Sequence, residues 1–128
     1  MKLLLDTCTF LWLATGTRPL PAAVRDLLAA ADTHAWFSAA SVWEIAIKHA
    51  QGRLALPEPP ARFVPEVRQR YDIELLPIDE ESALHITKLP PLHRDSFDRM
   101  LVSQAIVHGL VIVTPDPLVI QYPARTMW

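Results

Sequence analysis

Two short runs, Leu3-Leu4-Leu5 and Leu110-Val111-Ile112-Val113, are apolar at every position. A strand with one face in water alternates apolar and polar side chains, whereas a strand apolar on both faces must be covered on both. Such runs, bounded by polar residues, are expected as inner strands of a parallel sheet. Parallel strands also need crossover segments long enough to hold a helix.

Those crossovers are readable. Residues 2–5 form the first expected strand, followed by a short helical turn over Phe10 to Ala14. Pro21 to Ala31 has Pro in its first turn and then Val24, Leu27, Leu28 and Ala31 at helical spacing. Ala35 to Phe37 is a second strand. Ser38 is an expected N-cap for a helix from Ala39 to Gln51, with Gly52 just past its end and an apolar stripe of Ala39, Val42, Trp43, Ala46, Ile47 and Ala50. The prolines at 57–60 open a helix running to about Tyr71, and Ile73 to Leu76 is a third strand. Asp79 is placed to cap a helix from Glu80 to Lys88, which Pro90-Pro91 closes off. Asp95 stands in N-cap register before Ser96 to His108, and Gly109 ends that helix. Leu110 to Thr114 is a fourth strand and Arg125 to Met127 a short fifth. The expected class is α/β, with a parallel sheet of four to five strands flanked by helices.

At 128 residues this is one expected domain, 1–128, able to bury about two-thirds of its unfolded surface. Acidic residues exceed basic ones by 14 to 12, a net charge of -2, so the total charge exerts no broad pull on nucleic acid. Arg62, Arg68, Arg70, Arg94 and Arg99 leave room for a local basic patch. The one cysteine, Cys8, excludes an internal disulfide framework and argues against a cysteine-based zinc site. Asp6 interrupts the N-terminal apolar run before a signal core forms, and no stretch approaches the ~20 apolar residues of a membrane span. A soluble protein of a reducing, cytoplasmic setting is expected, with no membrane role.

Chemistry is indicated by four carboxylates in poor places for a charge. Asp6 ends the first strand and Asp116 follows the fourth. Glu44 and Asp98 lie in helices rich in apolar residues. Asp6 and Asp116 fall at the carboxyl ends of parallel strands, the edge where open α/β sheets form sites. Asp98 begins a helix at that same edge, and Glu44 lies two turns into the helix after the second strand. Together they would repel unless neutralised, and a hard divalent cation does this with oxygen ligands and retained water. Mg²⁺ or Mn²⁺ so held suits phosphodiester hydrolysis. The residue types alone do not choose between RNA, DNA and a small phosphate.

Four segments carry a family resemblance: Leu3-Leu4-Leu5-Asp6-Thr7, Ser41-Val42-Trp43-Glu44-Ile45, His93-Arg94-Asp95-Ser96-Phe97-Asp98-Arg99-Met100-Leu101 and Val113-Thr114-Pro115-Asp116. In order and spacing the chain resembles the PIN-domain nucleases, and more closely the VapC-type toxins of bacterial toxin–antitoxin pairs. The resemblance implies a metal-dependent ribonuclease on a parallel sheet, with Asp6, Glu44, Asp98 and Asp116 as catalytic and metal-binding acids. It further implies an RNA substrate, a cognate antitoxin and a homodimer. Asp95 matches a further acid of the subgroup. Two departures are Ser96, where the subgroup usually has Pro, and the prolines flanking Asp116.

Each residue also has an ordinary role. Asp6 suits a turn cap, Glu44 an i,i+4 pair with Lys48, Asp98 the third residue of a capped helix, and Asp116 a turn before Pro117. For Asp95 capping is the preferred role. Thr7 and Thr114 flank the acids as hydrogen-bonding hydroxyls, and Arg94 and Arg99 are the nearest candidates to hold substrate phosphate. His93 reads as a loop residue, Cys8 as a small filler, and Trp12, Trp36 and Trp43 as core or interface anchors. Two rival readings remain: a catalytically silent PIN-like interaction module, and another Mg-dependent phosphate hydrolase. An aspartyl-phosphate phosphatase of the second kind needs an acid two residues after its nucleophilic aspartate, where this chain has Cys8.

Overall fold

The computed structural model describes residues 1–128. Five strands, β1 (Lys2–Leu5), β2 (His34–Ser38), β3 (Ile73–Leu76), β4 (Val111–Val113) and β5 (Thr126–Met127), form one sheet in the order β3-β2-β1-β4-β5. Every pair is parallel, with Leu3 opposite Ala35 on one side and Val111 on the other. The helices are α1 (Thr7–Thr15), α2 (Ala22–Ala29), α3 (Ala39–Ala50), α4 (Pro60–Arg70), α5 (Glu80–His85), α6 (Ser96–His108) and α7 (Pro117–Ile120).

The doubly apolar strands do what their pattern requires. Leu3 and Leu5 of β1, with Val111 and Val113 of β4, face one core shared with Phe10, Val24, Phe37, Ile45, Phe63, Val64 and Val67 from or beside α1 to α4. Leu4 and Ile112 point the opposite way, into a second core with Leu101, Val102 and Ala105 of α6, Val119 of α7 and Tyr122. Period-two alternation thus divides each central strand between two buried layers. Phe10 and Phe37 stack at 3.8 Å between ring centroids, tying α1 to β2.

Several elements differ from expectation for visible reasons. The turn expected over Phe10 to Ala14 is a nine-residue helix, because Asp6 caps it by accepting from Thr9 N at 2.8 Å and Gly16, at φ +66°, closes it. The α7 turn was not anticipated; Pro117 starts it and Asp116 caps it. The helix from Glu80 stops at His85 and continues as a 3-10 turn, Ile86–Lys88. Asp79 occupies the N-cap position of α5 but makes no capping bond; its carboxylate meets His108 Nε2 at 3.2 Å.

The expected stripe of α3 is also displaced. Its buried residues are Ala40, Ser41, Glu44 and Ile45, while Trp43 is 59% exposed and lies edge-on to Phe97. The helix is contacted by α1, α4, α6 and β2. Burial here follows which neighbours surround the helix, and hydropathy alone does not reveal them.

One buried polar link fixes where α3 begins. Ser38 Oγ accepts from Ala40 N at 3.0 Å and donates to Gln104 Oε1 at 2.5 Å, while Gln104 Nε2 donates to Pro77 O at 3.1 Å. Ser38 and Gln104 have no solvent exposure. This joins the β2–α3 junction to α6 and to the segment after β3. Ser38→Ala removes a helix cap and strands a buried amide oxygen, so it should destabilise the fold by roughly 2–4 kcal/mol in chemical denaturation.

Candidate active site

The strand order places β2 on one side of β1 and β4 on the other, so successive crossovers leave β1 in opposite directions. Open α/β sheets form a crevice at such a switch point, beyond the carboxyl ends of the strands. Asp6 directly follows β1 and Asp116 lies three residues past β4. Asp98, in the first turn of α6, and Glu44, in the middle of α3, bring two more carboxylates to this region. Asp98 feels the charges of Asp95, Glu44 and Asp116, and Asp6 feels that of Asp116.

Each carboxylate has its own local support. Asp6 is 5% exposed, and burial raises its pKa above the ordinary carboxylate value. Hydrogen bonding from Thr114 and Thr9 opposes that rise, and Asp116 adds to it. Thr9 is itself anchored by donating to Val113 O at 3.0 Å. Thr114 Oγ1 accepts from Asp116 N at 3.0 Å, and Asp116 Oδ1 caps α7 by accepting from Leu118 N at 2.9 Å. Thr114 therefore stands between the two aspartates.

Glu44 is buried at 6% exposure. Its Oε1 accepts from Thr7 Oγ1 at 2.6 Å and its Oε2 from Lys48 Nζ at 2.5 Å. The helical ion pair is therefore present, within the acidic crevice. The bond to Glu44 raises the Lys48 pKa, so the ammonium stays charged.

Asp98 is perturbed in the same direction as Asp6. Desolvation and then the neighbouring Asp95 push its pKa up to about 6, against a hydrogen bond with His93 that favours the charged form. Asp95 caps α6, its Oδ1 accepting from Asp98 N at 3.0 Å, and remains exposed. Arg99 forms no ion pair with the acids. It donates to Pro90 O at 3.0 Å, Ile86 O at 3.3 Å and the Tyr122 hydroxyl at 3.1 Å. These bonds fasten α6 to the 3-10 turn and explain why the helix from Glu80 tightens there. Arg94 is exposed and, with Ser96, His93 and Arg99, lines an open cavity of about 550 Å³ beside the α6 N-terminus.

The donor set suits a hard cation. It is made of carboxylate and hydroxyl oxygens, two carboxyls have raised pKa values, and Lys48 is the one ammonium bonded to an acid of the set. No three acidic, histidine or cysteine side chains converge closely enough to form a complete ligand shell by themselves. An ion that keeps several of its waters needs fewer protein contacts, as Mg²⁺ does. Three residues of this neighbourhood were given ordinary roles or none in the sequence. Lys48 was signalled only by its spacing from Glu44, His93 only by its nearness to Asp98, and Tyr122 by nothing local.

Comparison with known proteins agrees with this geometry. Residues 3–122 match the PIN domain family. Ribonuclease VapC16 of Mycobacterium tuberculosis is 44% identical over 48 residues, which cover 38% of this chain and 34% of that protein, so the match spans about a third of the relative's length. Among solved structures, VapBC2 from Rickettsia felis bound to a promoter DNA fragment superposes with a TM-score of 0.75 at 15% identity, covering 99% of this chain and 98% of that one. VapBC-1 from nontypeable Haemophilus influenzae gives 0.69 at 19% identity, covering 99% and 97%. FitAcB from Neisseria gonorrhoeae gives 0.62 at 21%, covering 98% and 96%. At these identities the structures speak for the fold, while the family match runs from β1 to just past α7. With its acid-lined switch point on a five-stranded parallel sheet, the chain belongs to the PIN-domain family.

Proposed function

We propose that this protein is a Mg²⁺- or Mn²⁺-dependent endoribonuclease that acts as the toxin of a type II toxin–antitoxin pair in the cytoplasm. The observation that carries the reading is the gathering of Asp6, Glu44, Asp98 and Asp116 around one crevice with a single ammonium among them. The match to a ribonuclease and the likeness to VapBC and FitAcB structures support RNA as substrate, an antitoxin as partner and a homodimer as the assembly.

Asp6, Asp98 and Asp116 would hold the cation, with Glu44 beside them. When bound, the ion activates water and offsets the charge of an in-line phosphoryl transition state. Thr114 sets the distance between Asp6 and Asp116. Thr7 and Lys48 fix both oxygens of Glu44, which fits it to orient water or take up a proton. Arg94, on the open cavity beside α6, is free to hold the RNA backbone by paired N–H contacts. Arg99 holds the loop that presents Arg94 through three hydrogen bonds, and it lines the same cavity with N–H groups left over for phosphate. With net charge -2 and few phosphate contacts, affinity must come from a selected sequence or loop.

Three outcomes test this. Calorimetry should detect Mn²⁺ binding, and Asp6→Asn should weaken it by more than about tenfold, as expected when a ligand charge is lost. Antitoxin-free protein with total RNA and Mn²⁺ should generate a few discrete ends that vanish with EDTA and in Asp98→Asn. Uniform degradation would refute selectivity, and cleavage in EDTA would refute metal dependence.

The raised carboxyl pKa values also set a pH dependence. Folding disfavours the ionised form of Asp98, so the stability it contributes is fully present below the ordinary carboxylate pKa and lost as pH rises through about 6. In EDTA the protein should melt at a higher temperature at pH 5 than at pH 7.5. Asp98→Asn should shrink that difference, and Mn²⁺ should raise the melting temperature more at pH 7.5.

Asp95 has a separable role. Asp95→Ser keeps a capping oxygen and should cost well under ~1 kcal/mol, whereas Asp95→Ala should cost ~0.5–2 kcal/mol. If Asp95→Ser retains full stability but no nuclease activity, the residue acts in the reaction and capping is not its main role.

A further inference from the structure

Asp98 is gripped from its far side by side chains that the proposed chemistry leaves unused. His93 Nε2 lies 3.2 Å from Asp98 Oδ2, and His93 Nδ1 lies 2.8 Å from the Tyr122 hydroxyl. Arg99 Nη1 donates to the same hydroxyl at 3.1 Å, and the backbone N–H of His93 does so at 3.2 Å. Tyr122 is 3% exposed, behind α6 in the second core.

The donors and acceptors of this chain can be counted. A phenol oxygen has two acceptor sites and one proton. Arg99 and the His93 backbone N–H can only donate, so they fill both acceptor sites. The Tyr122 proton has two acceptors in reach, His93 Nδ1 at 2.8 Å and the His93 carbonyl oxygen at 3.4 Å, and the shorter contact makes Nδ1 its acceptor. The ring proton therefore sits on Nε2, directed at Asp98, and an ionised carboxylate can only accept. A proton on Nδ1 would make a third donor to a hydroxyl with two sites already filled.

We propose that His93, held as its Nε2–H tautomer by Tyr122 and Arg99, is a positioning residue that pins Asp98 Oδ2 and thereby turns the carboxylate toward the crevice for the divalent cation. This rests on the metal-dependent reading above. Asp98 is surrounded by Asp95, Glu44 and Asp116, and unrestrained it would gain by swinging away from them. One neutral N–H at its outer oxygen opposes that movement without placing a competing cation in the site. Partners of this kind outside the ligand set tune metal affinity by about 10–100-fold in other sites. Tyr122 follows α7, which Asp116 caps, so the same hydroxyl couples the Asp116 loop to Asp98.

The test joins two measurements on the full chain. Nitrogen-15 NMR of the metal-free protein should show His93 as the Nε2–H tautomer, and Tyr122→Phe should abolish that preference. Calorimetry with Mn²⁺ should show affinity falling by about tenfold or more in His93→Phe, with most of it restored in His93→Gln, whose amide N–H can still reach the carboxylate. Thermal unfolding in EDTA identifies any variant that has merely lost its fold, and the tautomer of the unsubstituted protein is informative even then. An Nδ1–H tautomer in the unsubstituted protein would overturn the proposal. So would equal Mn²⁺ affinity in His93→Phe and the unsubstituted protein while Asp98→Asn binds weakly. If the unsubstituted protein and Asp98→Asn alike fail to bind Mn²⁺, the metal reading itself is lost and this inference with it.

Discussion

Carboxylates held at the ends of apolar parallel strands are the constraint on which the rest of the structure depends. Leu3, Leu4 and Leu5 have no solvent exposure, and Asp6 follows them at 5%. A charge that close to two packed cores is expensive unless hydrogen bonds or an opposite charge meet it. Thr9 and Thr114 supply hydrogen bonds to Asp6, Thr7 and Lys48 supply both for Glu44, and His93 supplies one for Asp98. Desolvation still outweighs these contacts at Asp6 and Asp98, whose pKa values are raised. The crevice therefore concentrates negative charge that the protein's own contacts offset only in part.

The sequence economises by giving its acids two tasks. Asp6 caps α1 and Asp116 caps α7 while each faces the crevice, and Asp95 caps α6 so that Asp98 is presented from the first turn. The capping bond itself uses one carboxylate oxygen, and at Asp6 the carboxylate also receives the Thr114 hydroxyl. The structural role fixes the side chain's position at the sheet edge. A capping role at these positions does not exclude the metal-binding role proposed for them.

Behind α6 a second set of polar contacts stabilises the site from outside. Arg99 joins the 3-10 turn, the Pro90 carbonyl and Tyr122, while Gln104 joins Ser38 to Pro77. Ser103 donates to the Ser82 carbonyl, closing α5 onto the same helix. These links run across long sequence separations and fix α6 relative to α3 and to the strand ends. The distance between Asp98 and Glu44 is set by such links as much as by apolar packing.

Much of this was written locally. The doubly apolar strands, the proline and glycine stops, the serine and aspartate caps and the four acids at one sheet edge are all short-range signals, and they sufficed for a parallel α/β fold with an acidic site. What depends on the company an element keeps was not written locally. The buried face of α3 shifts to Ser41, Glu44 and Ile45 because several elements surround it. Arg99 stands next to Asp98 in sequence, but its place on α6 brings it to the Pro90 and Ile86 carbonyls and the Tyr122 hydroxyl, partners that no local pattern announces. Tyr122, 24 residues from Asp98 in sequence, enters the site only through folding. A residue's backbone conformation follows from its neighbours in the chain, but the partner of a side chain is set by which elements pack together, and that is decided by the cores on the two faces of the sheet.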